Sequence, residues 1–269
     1  MTAASIFVFD CATAAFSLAS IFVNSFTIIY IVYRSKANKR QYEMLLSLIV
    51  FHMIFNMSSV LFHICKNLLS PVTVTLWSRS LMLAASATIL CGNICIVVDR
   101  LLAINHPAAY CHTHKKRWLT FSFFFLVTVF SLSLAAYMYA EYEKKIDYIS
   151  TPLYIVKSAA SALNVLITVG FLWRLRKFMK NWQNCADIEN LKTANQIVIY
   201  EIVAEIIIII IPTIVTTVLN NVFNRVITST VGTYPIALFA LYTTVCAICL
   251  GAKLMKRSNV VRLFTRSTD

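Results

Sequence analysis

The sequence predicts an all-α membrane protein: a bundle of seven transmembrane helices, amino terminus outside and carboxyl terminus cytoplasmic. Three observations carry that expectation. Of 269 residues, 59% are hydrophobic and only 13% charged, against about 45–50% and 25% in a water-soluble domain. The apolar residues fall into seven runs, and a helix needs about 20 such residues to cross a ~30 Å hydrocarbon core. The lysines and arginines gather between alternate runs, the asymmetry that orients a membrane protein.

The expected spans are 6–33, 42–69, 76–104, 118–140, 152–173, 196–219 and 233–254, in a single domain over 1–269 that ends in a short basic tail at 255–269. The first three and the sixth are cleanly bounded; Lys157 and Asn164 interrupt the fifth. In lipid only helices and closed barrels satisfy their backbone groups, and these runs lack the two-residue alternation of a barrel strand. Four glycines and five prolines are also too few for a loop-rich β fold. Asp10 and the lack of a basic leading segment make the first run its own insertion signal rather than a cleavable one. The longest inner connection, 174–195, opens with Arg174, Arg176, Lys177 and Lys180. That basic start either prolongs the fifth helix into the cytosol or is only a positive anchor. No internal repeat is visible, and seven spans do not divide into the equal inverted halves of many transporters.

Eighteen of the 24 basic residues fall on one side, in four clusters: 34–40, Arg100 with 115–117, 174–192 and 253–266. The other side holds Lys66, Arg79, Lys144, Lys145, Lys157 and Arg225. The richer side is expected to be cytoplasmic. The net charge of +13 then reads as this asymmetry plus attraction to anionic membrane lipids. Nucleic acid is not an expected partner, because the positive charge is spread over four loops. Of eight cysteines, Cys111 and Cys185 fall in inner loops, where thiols stay reduced, and the outer loops hold none. No extracellular disulfide framework follows. The sequon Asn56-Met57-Ser58 lies inside the second span, out of reach of glycosylation.

Charges inside lipid cost at least ~2.5–3.5 kcal/mol each, so they mark candidate sites. Glu201 and Glu205 stand four apart on the sixth span and share a helix face. They read either as a polar relay or cation site meeting Arg100, Asn93 or Asn164, or, for Glu201, as a carboxylate that only reaches the inner interface. With Asn24 and His52 they make the expected intramembrane polar network. Lys66, Arg79 and Lys157 lie near the outer helix ends. They form an anion-attracting ligand mouth or, as long basic side chains at helix ends more often do, snorkel to the interface. Ala84, Thr88 and Gly92 put small residues at four-residue spacing on the third span, a pattern for close helix packing.

Catalytic constellations are missing. The chain has no His-Glu-x-x-His stretch, no Gly-rich phosphate loop and no Gly-x-Ser-x-Gly elbow. His106, Cys111, His112 and His114 cluster in the second inner loop without a matched second ligand group, so a solvated loop is the expectation. No lysine occupies the middle of the seventh span for a retinal Schiff base. Neither a cofactor nor a metal is expected, and an enzyme is the last choice.

The third span ends in Asp99-Arg100, followed by Leu102-Ala103-Ile104 and Pro107; Asn24 follows Val23 in the first span, and Pro212 falls within the sixth. On these residues the chain resembles rhodopsin-like G-protein-coupled receptors, and specifically the nematode serpentine chemoreceptors, nearest to their class BC group. The resemblance covers essentially the whole chain in span number, orientation and loop length. It implies a plasma-membrane receptor, sensory cilia among its settings, that detects a small environmental molecule and signals to a heterotrimeric G protein. It further implies that Asp99, Arg100, Pro107 and Pro212 serve coupling and switching, with Arg100 held by Asp99 at rest. The chain departs from that pattern at Leu101, in place of tyrosine, and at His52, in place of the second-helix aspartate. It also lacks the Asn-Pro-x-x-Tyr ending and the cysteine pair between the third helix and the second outer loop. The alternative function is a polytopic ion-coupled transporter or channel that uses Glu205; a membrane scaffold without ligand is a third.

Overall fold

The structure, a computed structural model, describes residues 3–34, 43–69, 72–105, 115–143, 146–181, 188–215 and 234–266. Among the described residues there is no strand, and the helices in chain order are α1 (Ala3–Arg34), α2 (Glu43–Ile64), α3 (Val72–Asn105), α4 (Lys115–Tyr142), α5 (Ile146–Asn181), α6 (Ile188–Glu205) and α7 (Tyr234–Arg266). A π-helical turn, Cys65–Leu69, follows α2, and a second, Ile206–Ile210, follows α6 before helix resumes through residue 215. Six segments are long and apolar enough to cross a membrane: Phe7–Val32, Glu43–Asn67, Val72–Asn105, Lys115–Tyr142, Val198–Val215 and Pro235–Ala252. The chain is therefore an all-α, multi-pass membrane protein.

Two helices run past their expected ends. α5 continues through the basic segment to Asn181, and α7 continues through the expected tail to Arg266. Neither extension contains glycine or proline, so nothing stops a helix already nucleated in the bundle. The π-turn after α6 falls on five consecutive isoleucines, with the Ile211 amide donating to the Ile206 carbonyl. β-Branched side chains crowd an α-helical turn, and Pro212 just beyond provides no amide for the α-helical ladder. Widening by one residue re-aims the helix at that point.

α3 is the central rod. It packs on α2, α4 and α5 and touches α6 at a few points, while α1 lies against α2 and α7, and α6 leans mainly on α7. Met82, Ala84, Ala85 and Ile89 on α3 are fully buried. A Cβ built on Gly92 would sit 2.5 Å from Leu48 Cδ1, so α2 and α3 approach to a distance that only glycine allows without displacing Leu48.

The outer helices are inside-out by the standards of a water-soluble protein. On α1 the buried stripe is Asp10, Thr13, Ser17, Ser20, Asn24, Thr27 and Ile31, while Phe7, Leu18, Phe22, Phe26 and Ile29 face outward. The steps of three and four keep the stripe on one helix face. α4 likewise buries Ser122, Leu126, Ser133, Tyr137 and Ala140 and exposes Phe121, Phe123, Phe124 and Leu132. Polar atoms turned inward and aromatic rings turned outward are stable only where the surroundings are as apolar as the rings.

Candidate functional site

Four helices meet at Glu205, the last residue of α6 before the π-turn and only 1% exposed. Its Oε2 accepts a hydrogen bond from Asn164 Nδ2 of α5 at 2.6 Å and another from Asn93 Nδ2 of α3 at 2.8 Å. Asn93 Nδ2 also donates to the Tyr242 hydroxyl of α7 at 2.8 Å. Both asparagines are buried, and Tyr242 is fully so. Bonds of this kind to an ionised acceptor are roughly twice as strong as neutral ones. They hold one carboxylate oxygen and leave the other: Glu205 Oε1, Asn93 Oδ1 and Asn164 Oδ1 are buried with no hydrogen-bond partner.

Glu201, one turn back on α6, is 5% exposed. It is buried rather than reaching out to an interface. It lines a crevice with Asn24, Leu45, His52, Cys246 and Leu250, between α1, α2, α6 and α7, and it feels the charge of Arg100 on α3. The expected polar network is thus two clusters: Asn93 joins Glu205, while Asn24 and His52 gather with Glu201. Arg100 Nη2 lies 3.1 Å from Asp99 Oδ2, and both side chains are buried at the end of α3. Pro212 sits on the helical turn beyond the π-segment. Pro107, with the neighbouring His106, Cys111, His112 and His114, lies outside the described residues.

At the opposite end of the bundle, Lys66 Nζ is 2.8 Å from Asp10 Oδ2, joining the π-turn after α2 to α1, and His63 Nδ1 is 3.3 Å from Asp10 Oδ1. Arg79 pairs with Glu141 of α4 at 3.1 Å. The two basic groups therefore face separate protein carboxylates, with which any incoming anion has to compete. The side chain of Lys157 lies outside the described residues. Among the described residues no group of three or more His, Cys, Asp or Glu side chains could hold a metal ion.

A neutral polar seam joins α1, α2 and α7. Ser17 donates to Ser59 at 3.1 Å, Asn56 donates to Ser20 at 3.0 Å and to the His52 carbonyl at 2.7 Å, and Thr243 donates to Asn56 Oδ1 at 3.2 Å. Thr244 reaches across to the Phe16 carbonyl at 2.8 Å. Sequence reasoning missed Tyr242 and this seam, and it missed Asp10 as the partner of Lys66. The available signal was the three-four spacing of polar residues from Asp10 to Thr27, which places Asp10 and Asn24 on one face.

No family model and no curated protein matches this chain.

Proposed function

We propose that this chain is a seven-helix receptor of the plasma membrane that binds a small environmental molecule and signals to a heterotrimeric G protein. In this reading α5 is the seventh crossing, the amino terminus faces outside, and the basic loops face the cytosol, where they attract the G protein electrostatically. The observation that carries it is the buried Asp99–Arg100 pair at the foot of the central helix, beside the Glu201 carboxylate of α6. A guanidinium held there is a switch that movement of α6 uncovers. α6 is built to move: it leans mainly on α7, meets α3 at few points, and carries a π-turn and Pro212 in its outer half. A ligand bound among α3, α5, α6 and α7 in that half favours the arrangement with the inner end of α6 swung out, to the extent that it binds that arrangement more tightly.

The test is Arg100→Ala in cells carrying a promiscuous G protein with a calcium readout, alongside the unmodified chain in a small-molecule screen. Surface expression is expected to persist and the ligand-evoked signal to be lost. An unchanged signal overturns the assignment. A second reading, an ion-coupled transporter or channel, draws on Glu205 in the bundle core; ion flux into proteoliposomes would favour it.

A further inference from the structure

We propose that Asp10, His63 and Lys66 form a proton-exchange clamp between α1 and the end of α2, in which a proton taken up by His63 displaces the Lys66 ammonium group from Asp10. The exchange does not depend on the receptor reading. That reading adds only that the proton arrives from outside the cell.

The clamp is the charged end of the neutral seam. Ser17 donates to Ser59 between α1 and α2; Asp10 lies two turns before Ser17, and His63 lies one turn past Ser59. Steps of three and four keep His63 and Lys66 on the face that carries Ser59. The two spans concerned run from Phe7 and to Asn67, so at 1.5 Å per residue all three groups lie within about 6 Å of a span end. Lys66 Nζ donates to Asp10 Oδ2 at 2.8 Å. His63 Nδ1 stands 3.3 Å from Asp10 Oδ1. Yet neither of those two atoms, nor His63 Nε2, has a hydrogen-bond partner. Asp10 and His63 are buried, whereas the Lys66 side chain is 34% exposed.

What this arrangement lacks is a proton. A neutral imidazole has one N–H and one acceptor nitrogen, and an imidazolium has an N–H on both. Uptake therefore puts an Nδ1–H opposite Asp10 Oδ1 whichever tautomer preceded it, and the orphaned oxygen gains a charged donor. One N–H bond forms, with a proton from water, and Lys66 keeps its own. Asp10 supplies a single negative charge, so two cations upon it leave a positive charge uncompensated where little water reaches. His63 cannot relieve this, because it is buried with the edge of the Phe62 ring 5.2 Å away, centre to centre. Lys66 can: its four-carbon stem is flexible and carries the ammonium group to water. Other charges do not intervene. Asp10 and Lys66 are the charged groups that act on His63. Arg79 of α3 and Glu141 of α4 are paired with each other, and α7 has no charged residue before Lys253 at its far end. Acid thus unties the π-turn Cys65–Leu69 from α1, while the neutral seam beside it still joins α1 to α2.

The experiment uses the full chain in lipid nanodiscs, its lysines reductively methylated with 13C. The Lys66 methyl resonance is identified by its loss in Lys66→Arg and followed from about pH 8 to about pH 5, the window in which a histidine ordinarily changes charge. At the upper end it is expected to stand apart from the resonances of solvated lysines, and on acidification to move to their position. In His63→Gln it is expected to stay apart throughout. In Asp10→Asn it is expected at the solvated position at every pH, and this variant decides should His63→Gln fail to fold. A Lys66 resonance that ignores pH in the unmodified chain, an acid response that survives His63→Gln, or one that survives Asp10→Asn overturns the clamp. Such a failure leaves Arg100-dependent signalling untouched, and an unchanged signal in Arg100→Ala leaves the clamp untouched.

Discussion

The seam between α1, α2 and α7 and the node at Glu205 are both polar and both buried, yet they are built on opposite principles. The seam uses hydroxyls and a carboxamide whose donors and acceptors answer one another, with Asn56 at the hub and both ends of its amide paired. The node buries an ionisable carboxyl group, turns both asparagine amides onto one of its oxygens, and leaves Glu205 Oε1 and the two asparagine carbonyl oxygens unmet. The first arrangement is glue between helices in an apolar solvent, where such bonds average about 0.6 kcal/mol each. The second is costly to bury and is the kind of feature that function, rather than stability, maintains.

The largest expected effect breaks the node. Asn164→Leu removes a donor at 2.6 Å from a buried carboxyl group and should lower stability by about 3 kcal/mol. Thermal unfolding in nanodiscs measures it, and a loss no greater than that at a seam serine would erase the distinction between the two regions. Next comes the close contact beside the seam. Gly92→Val adds bulk where a Cβ already falls 2.5 Å from Leu48 Cδ1, and the α2–α3 approach should cost about 2 kcal/mol to reopen. Smallest is the seam itself. A double-mutant cycle on Ser17→Ala and Ser59→Ala should give a coupling of about 0.5 kcal/mol; a coupling several times larger would make the seam more than glue.

The membrane class and the approximate helix positions were legible because hydropathy and basic-residue asymmetry are summed over long windows. The helix ends at Asn181 and Arg266 were less so, since hydropathy marks where lipid ends and not where the backbone stops being helical. The π-turn at Ile206–Ile210 has no hydropathy signature at all; six consecutive isoleucines before Pro212 are the only hint. Within the site, four-residue spacing placed Glu201 and Glu205 on one face, and a buried carboxylate demands a donor, which directed attention to Asn93 and Asn164. Tyr242 stayed invisible because an aromatic residue in an apolar run looks like packing, and only three dimensions bring its hydroxyl to Asn93. The pairing of Asp10 with Lys66 joins residues 56 apart in the chain, a distance no local pattern spans.

Six of the seven helices have the length and apolarity of a membrane span among the described residues. The remaining one, α5, supplies Asn164 to the node, and the receptor reading requires it to be the crossing that makes their number odd. Epitope tags at the two chain ends, read by antibody access before and after permeabilising cells, decide whether α5 crosses. The expected result is an amino-terminal tag accessible from outside and a carboxyl-terminal tag accessible only after permeabilisation. Both tags on one side would contradict the receptor assignment, because Arg100 would no longer stand at the foot of a seven-helix bundle facing the cytosol.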